Sequence, residues 1–219
     1  KFVVPANSKH VDTEKNGQGL KLTLSDTAGH RYYHQSPDQA VVLLDAEEVT
    51  MADVIKVLNK ACLEVVPANV AKISLKLSTE AITGNYYHYA HGLKKHLGDC
   101  QRIAHGHRSR IHIFDNGQRS QKLEAFWSEK WEDIYIGTEE DLVEPEVESS
   151  NDYYRFAYTS EQGYFSLEIP KARCHIMKSD STVELIAHHI LKQLKALEPE
   201  AKLEVKAFEG VNKGAIANG

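Results

Sequence analysis

The sequence predicts an α+β fold in which antiparallel hairpins carry long helices on one face. Three observations point there: short segments of alternating apolar and polar residues, two amphipathic stretches closed by proline, and a glycine-marked turn between two late strands. With 219 residues the chain is long enough for one large domain or two small ones. Its 42% hydrophobic and 26% charged content is that of an ordinary globular protein rather than a disordered or membrane-embedded one.

Strands are expected at 20–26, 31–35 and 40–44, then at 85–91, 106–114, 152–159 and 162–169. Gly163, within Thr159-Ser160-Glu161-Gln162-Gly163, marks the hairpin joining the last two. A first helix starts at Thr50 and runs to Pro67, burying Val54, Val57, Leu58, Ala61 and Val65. A second starts at Ser181 and runs to Pro199, burying Leu185, Ile186, Ile190, Leu191 and Leu194. Each start places an acid three residues after a hydroxyl, the capping-box spacing, and each proline stops its helix.

Lys72-Ile73-Ser74-Leu75-Lys76-Leu77 and Lys202-Leu203-Glu204-Val205-Lys206 follow as half-buried strands, leading to Glu80 and Glu209. The matching landmarks recur roughly 130 residues apart, which suggests an internal duplication. Residues 120–132 have helical composition. The acid-rich stretch 138–150 is expected to be a solvated loop.

No apolar run is long enough for a transmembrane helix, and no signal-peptide pattern opens the chain, so a cytoplasmic location is expected and a membrane partner is not. The opening Lys1-Phe2-Val3-Val4-Pro5 reads as the end of an element already under way, and a preceding segment is expected. Three scattered cysteines, Cys62, Cys100 and Cys174, argue against a disulfide framework, and Cys62 reads as a core residue. The net charge of −5 gives no general attraction to nucleic acid. Lys94, Lys95, Arg102, Arg108 and Arg110 nevertheless cluster around one motif, as a small anionic ligand would require.

That motif is His91-Gly92-Leu93 followed by Cys100 and His105-Gly106-His107. Histidines at i and i+2 of a strand project from one face, so His105 and His107 can share a metal, with His91 as third ligand from a neighbouring segment. Three neutral imidazoles and an open position describe a catalytic zinc site. Cys100 lies close enough to act as nucleophile or base, its thiolate favoured by the cation and the nearby basic residues. His88, His96 and His112 read as bystanders, His112 because its parity turns it to the opposite face.

Cys100 … His105-Gly106-His107, preceded by Tyr89-Ala90-His91-Gly92-Leu93, resembles the Cys … His-Gly-His and Phe-Ser-Ala-Ala-His-Arg-Leu motifs of the 6-pyruvoyl-tetrahydropterin synthases and 6-carboxy-tetrahydropterin synthases. Ser181-Thr182-Val183-Glu184 is similar to that family's Pro-Thr-x-Glu helix start, and Glu209 to its pterin-anchoring glutamate. The resemblance implies a tunnelling fold: a four-stranded antiparallel sheet with two helices on one face, assembled into barrels as a homo-oligomer. It implies tandem units, 1–84 being the back half of a first and 85–219 a complete second.

It also implies a zinc-dependent lyase acting on 7,8-dihydroneopterin triphosphate and making 6-carboxy-tetrahydropterin in the queuosine pathway, or a close relative of that product. Cys100 would take a proton and His175 return one. Glu209 and Glu80 would anchor pterin, while Arg102, Arg108 and Lys213 would meet the triphosphate. Two departures stand out. The cysteine precedes the first histidine by five residues rather than four, and the second unit has no Leu-Asp-His. Both would suit an alternative, a catalytically inactive pterin- or purine-binding protein with an assembly or regulatory role.

Overall fold

The computed structural model describes residues 2–146 and 150–219, so positions 147–149 of the acid-rich stretch lie outside the described residues. The strands are β1 (Phe2–Pro5), β2 (Val11–Asn16), β3 (Gly19–Ser25), β4 (Arg31–Ser36), β5 (Val41–Leu44), β6 (Tyr86–His91), β7 (His105–Asp115), β8 (Gln118–Arg119), β9 (Ile134–Thr138), β10 (Leu142–Val143), β11 (Tyr153–Ser160), β12 (Gly163–Pro170), β13 (Cys174–Met177), β14 (Leu203–Phe208) and β15 (Gly214–Asn218). The helices are α1 (Met51–Val65), α2 (Gln121–Lys130) and α3 (Val183–Leu197). The fold class is α+β, as expected.

Three layers build the molecule. In the middle, β6, β7, β14 and β15 pair antiparallel in that order, and β9 and β13 extend the β6 edge in parallel. Helices α2 and α3 cover one face, where Tyr87, Ile111, Ile113 and Val205 of the sheet meet Trp127 of α2 and Ile186, Ile190 and Leu194 of α3 in one core. Against the other face lies a second sheet, ordered β10-β11-β12-β4-β3-β2. Its Phe156, Phe165 and Leu167 pack on Ile103 and Tyr135. Strand pairing therefore crosses the 84/85 boundary expected from the sequence, since His34 of β4 registers with Leu167 of β12.

Helix α1 keeps its expected capping box, Thr50 accepting from the Asp53 amide at 3.2 Å. Its stripe does not behave as expected, for none of its residues is buried, and Leu58 and Val65 are 39% and 80% exposed. The strand expected at 72–77 is also not formed. Ile73, Leu75 and Leu77 alternate as half-buried residues, but no neighbouring strand among the described residues supplies a hydrogen-bonding ladder. Within the acid-rich stretch, Asp141 departs from the solvated-loop expectation: it is 5% exposed and faces Lys94 at 3.5 Å.

Candidate metal centre and its surroundings

Tyr89 and His91 alternate with Tyr87 on the helix-covered face of β6, and His105 and His107 occupy the same face of β7 as Ile111 and Ile113. The antiparallel register sets His91 directly opposite His105. The ring centroids of His91 and His105 are 4.3 Å apart, those of His91 and His107 5.1 Å, and those of His105 and His107 5.4 Å. One nitrogen from each ring lies within 4.8 Å of the other two.

The outward nitrogens are committed elsewhere. His105 Nδ1 donates to the Arg102 carbonyl at 3.1 Å, and His107 Nδ1 donates to the Glu209 carbonyl at 3.1 Å. A carbonyl only accepts, so both rings carry their proton on Nδ1 and leave Nε2 as a bare lone pair. His91 Nδ1 pairs with Ser181 Oγ at 2.9 Å, and its Nε2 is buried without a partner. Burial is the main reason all three pKa values fall: His91 lies well below the usual 6.5, further lowered by the other two rings, and His105 sits at about 4. Three neutral imidazoles with converging nitrogens, two of them bare Nε2 lone pairs and the third a buried Nε2 without a partner, are a donor set that could hold a divalent cation such as zinc.

The three histidines are held by ordinary packing. Gly92, next to His91, admits no side chain, because a Cβ there would collide with the Tyr158 hydroxyl and lie 2.8 Å from the Ile103 Cα. The segment between the two histidine strands is fastened by phenols: Tyr158 donates to the Gln101 carbonyl at 2.8 Å and Tyr135 to the Ile103 carbonyl at 3.0 Å. Cys100 is half-buried in the turn Gly98–Gln101, and its carbonyl accepts from the Leu93 amide at 2.9 Å, which returns the cysteine beside the His91 strand. At the far end of β14 the Tyr87 hydroxyl donates to the Phe208 carbonyl at 2.6 Å and accepts its amide at 2.9 Å, fixing the approach to Glu209.

Glu209 has a largely buried side chain in an ion pair with the exposed Lys213. Its charge acts on His105 and His107, and that of Lys213 is coupled to Cys100 and Glu184. Glu209, through its carbonyl on His107, and Lys213, through its ion pair with Glu209, therefore stand beside the triad. Arg102 contributes its carbonyl there, but its guanidinium is engaged by Asp99 at 2.7 Å and Gln162 at 3.1 Å.

Three of the expected site residues stand apart. Arg108 points to the opposite sheet face, where it donates to the Glu80 carbonyl at 2.9 Å and lies 4.2 Å over the Tyr86 ring; Glu80 also faces Arg110 at 3.6 Å. His175 shares a register row with Ile136 and His91, two strand spacings or about 9–10 Å from the latter. Its Nε2 is bonded to His189 Nε2 at 2.7 Å.

Residue identity alone missed other contributors. Ser181 was expected to cap α3, yet Thr182 is the N-cap and the Ser181 hydroxyl turns to His91 instead. His96, expected to be a bystander, and Glu184, given no role, act on one another through charge; for Glu184 the Thr-x-Glu spacing was the available signal.

The fold and site thus define an α+β protein with a helix-covered sheet and a three-imidazole, metal-competent pocket. Among solved structures it is similar to a catalytic-residue variant of 6-pyruvoyltetrahydropterin synthase from Plasmodium vivax, at 19% identity over 61% of this chain and 91% of that one, with a TM-score of 0.45. It is likewise similar to the 6-pyruvoyl tetrahydropterin synthase of Plasmodium falciparum, at 15% identity over 61% and 91% of the two chains and a TM-score of 0.44. No protein-family model and no curated protein matches the sequence.

Proposed function

We propose that the chain is a zinc-dependent lyase that converts 7,8-dihydroneopterin triphosphate to 6-carboxy-tetrahydropterin or a closely related tetrahydropterin. The observation that carries this reading is the set of three neutral imidazoles with every Nδ1 committed and His91 Nε2 buried without a partner. His91, His105 and His107 would hold zinc and leave a position for substrate. When bound, the ion supplies Lewis acidity to the side-chain oxygens of the substrate and so acidifies the adjacent carbons.

Around that position each remaining group has a task. Cys100 takes a proton from the side-chain carbon as general base. The Glu209 carboxylate accepts two N–H donors from the 2-amino-4-oxo-pyrimidine edge and fixes the ring. Lys213 meets phosphate oxygens, joined by Arg102 if Asp99 releases it. Proton return falls to the rim groups Glu184 and His96 in preference to His175, whose nitrogen is spent on His189. Glu80 and Arg108 stand outside this slot.

In this reading residues 85–219 are a complete catalytic unit and 1–84 the back half of another. The protein would act in the cytoplasm, and copies would close their open sheet edges in a homo-oligomer. Among the described residues no helix is long and apolar enough to cross a membrane.

The test is turnover of dihydroneopterin triphosphate by zinc-loaded protein, following triphosphate release and product mass. Cys100→Ala is expected to lower the rate by about 10²–10⁴-fold while zinc stays bound. Wild-type rates in that variant would remove Cys100 from the reaction. Pterin binding with no turnover by the parent protein would favour the non-catalytic binding role.

A further inference from the structure

The sheet that carries the triad has a second face, and it does not close fully on the six-stranded sheet. Between them lies a cavity of about 610 Å³, within the ~300–1,000 Å³ typical of small-molecule sites. Its opening arises from small residues at the triad's back: Ala90, Ala104 and Gly106 line the floor, and a Cβ on Gly106 would meet nothing closer than the Tyr89 carbonyl at 3.4 Å. Leu24, Leu167 and Ile169 form the apolar wall opposite.

Polar groups interrupt that wall where a ligand could use them. His34 is 5% exposed, lines the cavity, and keeps a buried Nδ1 with no partner. His88 lines it too, its Nδ1 held by Asp133 at 3.1 Å and its Nε2 buried without a partner. Unpaired buried polar atoms cost stability unless something satisfies them. Arg108 adds the positive charge, with N–H groups left over after its single bond to the Glu80 carbonyl.

We propose that this inter-sheet cavity binds a small, planar, anionic aromatic molecule, its ring between Leu24, Leu167 and the Ala90–Gly106 floor, its anionic group on Arg108 and a hydrogen bond from His34. The cavity opens on the other face of the same strands from the three-imidazole pocket, and the two meet at Tyr89 and His107, which also line it.

Calorimetric titration of the whole chain with naphthalene-2-sulfonate, a planar anionic fused aromatic, tests this. One saturable site per chain is expected. Leu24→Trp, which fills the cavity, should weaken binding by at least about tenfold, and Arg108→Gln, which removes the charge partner, by about tenfold. Leu58→Glu in the exposed stripe of α1 should leave binding unchanged. Should Leu24→Trp lose its circular-dichroism signature of folding, Arg108→Gln decides alone. Unchanged affinity in Arg108→Gln, or loss of binding in Leu58→Glu, overturns the proposal.

Discussion

Two groups of histidines lie about 9–10 Å apart, the triad on β6 and β7 and the pair of His175 on β13 with His189 on α3, and among the described residues only the triad offers converging nitrogens that could hold a metal. In the triad carbonyls hold the Nδ1 protons of His105 and His107 and so leave their Nε2 lone pairs bare, while the Ser181 hydroxyl takes His91 Nδ1 and leaves its buried Nε2 without a partner. In the pair, His175 and His189 spend their Nε2 atoms on each other at 2.7 Å, so one must be protonated there to donate and the other bare to accept. Trp131 packs against both rings, 5.3 Å from His175 and 6.4 Å from His189. The lesson is that the groups behind the rings, more than the number of rings, decide whether imidazoles bind metal or bind one another.

The strongest way to break the comparison is to remove one ring from each group. His105→Ala is expected to abolish stoichiometric zinc, read by metal analysis after dialysis, because two imidazoles cannot close a stable site. His175→Ala should keep the full metal content. Equal losses in both variants would mean that the two groups form one site, contrary to the register that separates them.

The next effect sharpens the role of the backing groups. Ser181→Ala takes away the partner of His91 Nδ1 and should weaken zinc binding by about 10–100-fold in a chelator competition, with the fold intact. Unaltered affinity would show that the hydroxyl merely fills space.

Acidification addresses both groups at once. His105 and His175 each have a pKa lowered by burial from 6.5 to about 4. Between those values the unfolded chain takes up protons that the folded chain refuses, so stability is complete above about 6.5 and declines as pH falls toward 4. The melting temperature of chelator-treated protein is therefore expected to drop from pH 7.5 to pH 5. A flat or rising profile would show that the rings are already charged in the fold. Zinc affinity should hold until the pH approaches about 4, where protons begin to compete for the His105 lone pair.

Much of this site was legible in the sequence for a simple reason. Strand parity alone put His105 and His107 together, and the same parity turned His112 away to meet Phe208 edge-on at 5.5 Å. The apolar stripe of α3 likewise foretold the buried Ile186, Ile190 and Leu194. What stayed hidden were roles that residue identity does not encode. The carbonyls of Arg102 and Glu209 orient imidazoles, and any residue could offer them. Ser181 looked like a helix cap because capping and ligand support demand the same hydroxyl.

Helix α1 shows the other limit. Its stripe rivals that of α3, yet periodicity specifies a face and not the surface that covers it. The pairing of β4 with β12 was equally out of reach, since nothing local in either strand names a partner more than 120 residues away.

The smallest expected effect concerns the pair itself. His189→Ala removes the Nε2–Nε2 bond and leaves a half-buried His175 nitrogen beside Trp131. A net hydrogen bond is worth about 0.5–1.5 kcal/mol, so the urea midpoint should fall modestly while zinc affinity holds. The two measurements must be made on the same preparation, because their ratio carries the inference. A stability loss with constant metal affinity keeps the pair a structural feature of α3 and β13. A drop in zinc affinity as large as that of Ser181→Ala would instead mean that Trp131 and Tyr89, whose rings are 6.0 Å apart, transmit the orientation of one histidine group to the other.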